Sequence, residues 1–170
     1  MPGKPASLLA LVALPALAGC GLSPMYAGGG SAAVAQGLAA VDVPAIPGQG
    51  GWLVRNALQD RLGVAGNSAS AYRLDVRLDD SLEALGVLND DTISRERRIL
   101  RARYQLVDTS SGAILLDATA GSDAGIDVVS SEYATIAAEQ KALENLALEL
   151  AEQMATQVSL ALRARAAAAP

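Results

Sequence analysis

Tyr72-Arg73-Leu74-Asp75-Val76-Arg77-Leu78-Asp79 alternates strictly between a bulky apolar or aromatic residue and a charged one. Successive side chains of a strand point to opposite faces, so this stretch predicts a strand with one dry face and one wet face. Tyr72, Leu74, Val76 and Leu78 share the first, and Arg73, Asp75, Arg77 and Asp79 the second. The pattern returns in a second strand from about Arg95 to Asp108. There Leu100, Ala102, Tyr104 and Leu106 fall on one face, and Ile99, Arg101, Arg103 and Gln105 on the other. Asn89-Asp90-Asp91-Thr92 marks the turn between the two strands. Asp108-Thr109-Ser110-Ser111-Gly112 reads as a hairpin loop, with Gly112 available for a positive φ, and it leads into a third strand over Ala113 to Thr119. Such alternation belongs to an antiparallel sheet covered on one side only.

The cover comes from the flanks. Upstream, Trp52 to Leu62 places Val54, Ala57, Leu58, Arg61 and Leu62 at helical spacing, and Gly63 is a natural residue just past a helix end. Trp52 lies off that face. It is expected to plug the core at the helix entry, a contact to lipid or protein being the other reading. Before it, Ala39 to Ile46 has short edge-strand character because Pro44 cannot donate to a central ladder. Pro47-Gly48-Gln49-Gly50-Gly51 reads as a turn.

Downstream, a loop rich in Gly, Asp and Ser precedes a long helix over about Ser131 to Leu162. Ser130 or Ser131 serves as N-cap, with Glu132 in the first turn. Ile136, Leu143, Ala147, Leu150, Met154, Val158 and Ala161 form one stripe, read as the face packed on the sheet. Leu148, Leu160 and Leu162 lie off it, and residues 164–170 are expected to be a disordered tail. The order predicts an α+β two-layer sandwich, a small antiparallel or mixed sheet with two helices on one face, spanning about residues 39–163.

The chain has 170 residues, with 51% hydrophobic but only 3% aromatic residues. That length suits one domain. The core must therefore be built from Leu, Val, Ile and Ala. Histidine is absent, which excludes a His general base and His-ligated metals. A single cysteine, Cys20, excludes an internal disulfide and a CxxC pair. Asp75, Asp79 and Asp80 lack EF-hand spacing, and Asn89-Asp90-Asp91 is a turn rather than a metal site. No catalytic residue, metal ligand or cofactor is assigned.

Residues 1–19 read as a secretory signal. Lys4 supplies the basic start, and the apolar stretch from Ala6 to Ala18 is, as a helix, about 20 Å long, short of the ~30 Å hydrocarbon core. It is expected to be cleaved rather than to span. Leu17-Ala18-Gly19-Cys20 resembles the bacterial lipobox. The resemblance implies S-diacylglycerol and, after cleavage, N-palmitoyl modification of Cys20, since several acyl chains anchor stably where one does not. Gly21 rather than Asp follows, which resembles sorting to the outer membrane. Residues 20–38, rich in Gly, Ala and Ser, are expected to be a flexible tether. Loss of Lys4 with the signal leaves the chain, already at net charge −5, more acidic still. Bulk nucleic-acid binding is not expected.

Against that acidity stands a cluster of arginines: Arg95, Arg97, Arg98, Arg101 and Arg103, with Arg73 and Arg77 on the neighbouring strand. The polar face is expected to present Arg73, Arg77, Arg101 and Arg103 together. Guanidinium groups bind phosphate bidentately and stay charged at any relevant pH. Two readings stay open: a site for phosphorylated lipid or an acidic protein surface, and a solvated face balanced by Asp75, Asp79 and Glu96.

Taken in order, these pieces resemble the LptE family of lipopolysaccharide-assembly lipoproteins in its alphaproteobacterial form. The likeness rests on Cys20-Gly21-Leu22-Ser23-Pro24-Met25-Tyr26, Leu53-Val54-Arg55-Asn56-Ala57-Leu58, Tyr72-Arg73-Leu74-Asp75-Val76, Arg101-Ala102-Arg103-Tyr104-Gln105-Leu106-Val107-Asp108 and Ser131-Glu132-Tyr133-Ala134. It implies a non-enzymatic, lipid-anchored outer-membrane subunit facing the periplasm or a barrel lumen. Its expected partners are an LptD-type β-barrel, which it plugs and helps assemble, and lipopolysaccharide. The arginines are then the candidate contacts to lipid A phosphates. The competing readings are an auxiliary lipoprotein of an envelope lipid-transport ABC system and a periplasmic enzyme, the latter disfavoured by the absent histidine.

Overall fold

In the computed structural model the described residues are 29–64, 70–87 and 93–168. Their elements run α1 (Gly29–Ala39), β1 (Val41–Asp42), α2 (Gly48–Leu62), β2 (Tyr72–Val87), β3 (Ile93–Asp108), β4 (Ile114–Asp127) and α3 (Glu132–Ala168). The strands lie in the order β1-β2-β3-β4. β1 pairs parallel with β2, and β2-β3-β4 is an antiparallel meander. The sheet is thus mixed, and the α+β sandwich stands.

Register follows from the alternation. Leu74 faces Leu106, Val76 faces Tyr104 and Leu78 faces Ala102, while on β4 Ala118 and Ala120 face Tyr104 and Ala102. A one-residue slip would turn every one of these side chains outward, so burial of one face fixes the pairing. Leu74, Leu100, Tyr104 and Leu106 are buried against Val54 and Leu58 of α2 and Leu143, Leu146, Leu150 and Met154 of α3. The small residues of β4 leave room for α3 to lie close over that edge.

The elements are longer than the sequence reading had them. β2 continues past Asp79 to Val87, and β4 continues past Thr119 to Asp127 through the stretch expected to be a loop. Ser81 pairs with Ile99, Ser122 with Leu100 and Asp127 with Arg95. Pairing with β3, rather than local propensity, makes these strands. α2 starts at Gly48, inside the expected turn, and its buried Gly50 and Gly51 occupy the entry that Trp52 was expected to plug. Trp52 is instead 61% exposed. Gly63 does close the helix in the left-handed conformation, at φ 66°, and Gly112 has φ 71° in the hairpin loop.

The described residues form a third helix besides the two expected on the sheet, and it packs mainly on α3. The extra one, α1, lies in the segment expected to be a tether. Its Ala-rich sequence favours helix, Val34 is buried, and Leu38 packs against the core. Leu162, expected off the packed stripe, is buried and lies beside Gly37 of α1. Ile136, expected on the stripe, is exposed, and Thr135 is buried in the first turn, where its Oγ1 accepts from the Val129 N–H at 3.3 Å. The signal, Cys20, the first part of the tether and the Asn89–Thr92 turn lie outside the described residues. No described helix is long and apolar enough to cross a membrane.

The expected tail is also structured: α3 runs to Ala168, and the Arg165 guanidinium donates to buried Asp108. Asp108 Oδ1 accepts from the Ser110 hydroxyl at 2.6 Å and from the Ser110 and Ser111 N–H groups at 2.9 and 3.2 Å. These bonds, the Ser110 hydroxyl first and Arg165 last, hold the Asp108 carboxyl below the usual carboxylate range. The folded chain therefore binds fewer protons here than the unfolded chain. The stabilisation is complete above the ordinary aspartate range, about 3.9, and is lost as pH falls through the lowered value. Acid unfolding monitored by circular dichroism is expected to show a shallower loss of stability below pH 4 in Asp108→Asn than in the unaltered chain. Identical acid limbs would refute the assignment.

Candidate anion-binding face

The wet face of the meander is built by the odd-numbered residues of β2, β3 and β4. The helices pack on the other side, and this face is open to solvent, with Gln153 of α3 and residues 44–46 at its margins. Arg73, Arg77, Arg95, Arg97, Arg101 and Arg103 are exposed there. Arg98 is the exception. Its even position turns it under the sheet, where its guanidinium donates to both Asp80 oxygens at 2.9 and 2.7 Å and to the Glu139 carbonyl at 3.3 Å. Arg98 is a clamp between sheet and α3 and, contrary to expectation, does not face a phosphate-binding surface.

The remaining six differ in their partners. Arg73 pairs with Asp75 at 2.9 Å, Arg95 with Asp127 at 3.0 Å, Arg97 with Asp123 at 3.5 Å and Arg103 with Asp117 at 3.0 Å. Asp117 also accepts from the Gln105 amide at 2.8 Å. Hydrogen bonds to these carboxylates push Arg73 and Arg103 above the ordinary guanidinium range, and Arg103 with Gln105 holds Asp117 below its own. The balancing acids are thus largely on β4, which the sequence reading did not invoke. Glu96 is not among them, because it lies on the covered side, with one carboxylate oxygen buried and unpartnered.

Arg77 and Arg101 have no ion pair or hydrogen bond among the described residues. Arg77 stands directly opposite Arg103 in the ladder, and Arg101 opposite Asp79. Directly opposed side chains have Cβ atoms about 5 Å apart, and like charges so placed are destabilising. Arg77, Arg101 and Arg103 together line a depression of about 700 Å³ whose floor is opened by Gly121 of β4. A side chain at Gly121 would touch the Arg101 stem at 3.4 Å. Arg77 and Arg103 also line a second hollow toward β1, with Pro44, Ile46 and Gln105. Arg73, Arg95 and Arg97 are not in the larger depression. The structure therefore brings together three of the seven candidate arginines and adds Thr119, Gly121 and Gln153, none of which the sequence singled out.

The sequence profile of the LptE family, described as lipopolysaccharide-assembly, matches residues 38–158. Among solved structures, a lipoprotein from Caulobacter crescentus CB15 is 28% identical, with TM-score 0.66 over 77% of this chain and 96% of its own. Lipoprotein B from Nitrosomonas europaea is 16% identical, with TM-score 0.55 over 70% of this chain and 79% of its own. Rare lipoprotein B from Shewanella oneidensis is 12% identical, with TM-score 0.51 over 71% and 96%. The last two share the fold alone. No curated protein matches the sequence. With a profile match across the sheet and most of both flanking helices, this chain belongs to the LptE family of lipopolysaccharide assembly.

Proposed function

We propose that the chain is the lipid-anchored outer-membrane subunit of a lipopolysaccharide translocon. It plugs and helps assemble an LptD-type β-barrel and binds lipopolysaccharide on its way to the outer leaflet. It is a binding protein, not an enzyme, and Cys20 carries the acyl chains. The observation that carries the binding role is the opposed pair Arg77 and Arg103 beside Arg101, with Arg77 and Arg101 in no ion pair or hydrogen bond among the described residues even though Asp79 and Asp123 line the same depression. Like charges directly opposed across the ladder are retained at a loss of stability, which a bound phosphate would reverse. An acidic protein needs such a local concentration of cations to hold an anion.

The test is lipopolysaccharide binding by Arg77→Glu with Arg101→Glu. Both side chains are exposed and unpaired, so the fold should persist by circular dichroism, while affinity should fall by about tenfold or more. Unchanged affinity in the folded double variant would defeat the assignment. Arg73→Ala, whose partner is its own neighbour Asp75, should change binding far less. Purification of the native protein from membranes should bring down a large outer-membrane barrel. Recovery with an inner-membrane transporter would instead favour the lipid-transport alternative.

A further inference from the structure

β4 ends the sheet, and its outer edge is open. The Thr109 N–H donates to the Ala71 carbonyl at 3.0 Å, so odd-numbered residues of β3 bond toward β2 and even-numbered ones toward β4. Backbone groups alternate sides along an antiparallel strand. β4 therefore meets β3 through Ala118, Ala120 and Ser122, and turns the N–H and C=O of Asp117, Thr119, Gly121 and Asp123 outward. No backbone group of the described residues pairs with these. A side chain stands in at one of them: the Gln153 amide donates to the Gly121 carbonyl at 3.4 Å. Free edges are ordinarily blunted by lysine, proline, a bulge or shortness. β4 runs for 14 residues with neither lysine nor proline, and its register with β3 is unbroken from Leu116 to Asp127.

A groove runs beside this edge. Tyr104, Ala118, Ala120, Gln153 and Thr156 line a cleft of about 520 Å³ between β4 and the flank of α3. Acids border it on both sides, Asp117 and Asp123 on the wet face and Glu149 and Glu152 on α3. The arginines that pair with Asp117 and Asp123 stand one strand further in, so the acids form the outer rim. No lysine or arginine lies on β4, or on α3 between Ala142 and Leu162.

We propose that the edge of β4 receives an extended, basic segment of another polypeptide as an added strand. Main-chain hydrogen bonds to Thr119, Gly121 and Asp123 give the affinity, and every second side chain of the added strand drops over Ala118 and Ala120 toward Tyr104. The small side chains of β4 leave that room. Charge selects the occupant, because lysine or arginine side chains on the added strand meet Asp and Glu on either side. A second copy of β4 would instead bring acids against acids, and directly opposed like charges are destabilising. The acidic rim thus guards the edge against self-pairing and admits a basic strand. The arginine face takes no part.

The test uses the full chain and a peptide of alternating lysine and valine, long enough to pair with Leu116 to Asp123. At saturation, hydrogen exchange of the Thr119, Gly121 and Asp123 amides should slow by about tenfold or more in NMR spectra, while Ala118 and Ala120, already in the ladder, change little. The same peptide N-methylated throughout keeps its charges and loses its donors, and should bind about tenfold or more weakly. A peptide of alternating glutamate and valine should bind as poorly. Gly121→Pro removes one outward N–H where an added Cβ meets only the Arg101 stem at 3.4 Å and the Leu100 carbonyl at 3.6 Å, and should weaken binding in a chain still folded by circular dichroism. Equal binding of the N-methylated peptide, or amides that stay unprotected, overturns strand addition, whether or not the proline variant folds. Equal binding of the acidic peptide overturns the choice of a basic partner. A dimer of the unaltered chain that Gly121→Pro abolishes would make a second copy the occupant, and overturns it too.

Discussion

Replacing Gly51 by alanine should destabilise the domain by about 3 kcal/mol, although alanine is the better helix former. In an open helix the exchange would gain up to about 1 kcal/mol. Here the added Cβ would lie 2.5 Å from the Ile46 carbonyl oxygen, 2.7 Å from its carbon and 2.8 Å from its Cγ2. The first two are backbone atoms and cannot swing aside. Relief requires moving α2 away from the 43–46 segment, which would open the contacts of buried Val43 and Val54. Overpacking of this kind typically costs about 1–3 kcal/mol and more when backbone must shift. Against a total stability of about 5–15 kcal/mol the loss is large. Urea unfolding followed by circular dichroism reads it directly. Gly125→Ala is the control: a Cβ there meets nothing within 4 Å, and the exchange should be neutral or slightly stabilising. A Gly51→Ala domain as stable as the unaltered one would refute the close approach.

That same glycine shows where sequence reading loses the thread. Pro47-Gly48-Gln49-Gly50-Gly51 has the composition of a turn, and nothing local says that two of its glycines are small because a helix must pass close to another segment. Legible features were those with a period or a fixed conformational demand. The alternation of Tyr72 to Asp79 and of Ile99 to Leu106 gave the paired strands and their faces. Gly63 and Gly112 marked a helix end and a hairpin loop. Features that depend on a distant partner were not legible. Ser81 to Val87 and Ala120 to Asp127 are strands because β3 is long enough to pair with both. Gly29 to Ala39 has no apolar stripe of its own, yet Val34 and Leu38 find cover beside α3.

The arginine face was legible to the same depth. Odd and even positions on β3 already separate Arg101 and Arg103 from the covered side. They do not say which guanidiniums meet an acid, because Asp117, Asp123 and Asp127 lie in the stretch of β4 whose register only the folded sheet supplies. The distinction between Arg77 and Arg101 on one side and Arg73, Arg95, Arg97 and Arg103 on the other is therefore structural. So is the contribution of Gln153, which reaches the site from a helix far along the chain.

Arg98 makes the sharpest contrast, and Arg98→Ala should lower stability by about 2 kcal/mol while leaving anion binding nearly untouched. Its side chain is 17% exposed and that of Asp80 27%. The pair is drier than the exposed ion pairs of the opposite face, which are worth about 0–1 kcal/mol each. Hydrogen bonding to Asp80 raises the Arg98 guanidinium above its ordinary range. Truncation removes two short bonds to Asp80 and a third to the Glu139 carbonyl, so α3 loses its polar tie to the end of the sheet. It also leaves the half-buried Asp80 carboxylate unpaired, and that unmet charge, more than the lost attraction, sets the penalty. Adding Asp80→Ala should therefore recover part of the loss, as a double-mutant cycle would show. Arg77→Ala, the mirror experiment, should weaken phosphate binding and, by relieving the opposition to Arg103, raise the unfolding midpoint slightly. If Arg98→Ala impaired binding as strongly as Arg77→Ala without loss of stability, the division between clamp and binding face would be wrong.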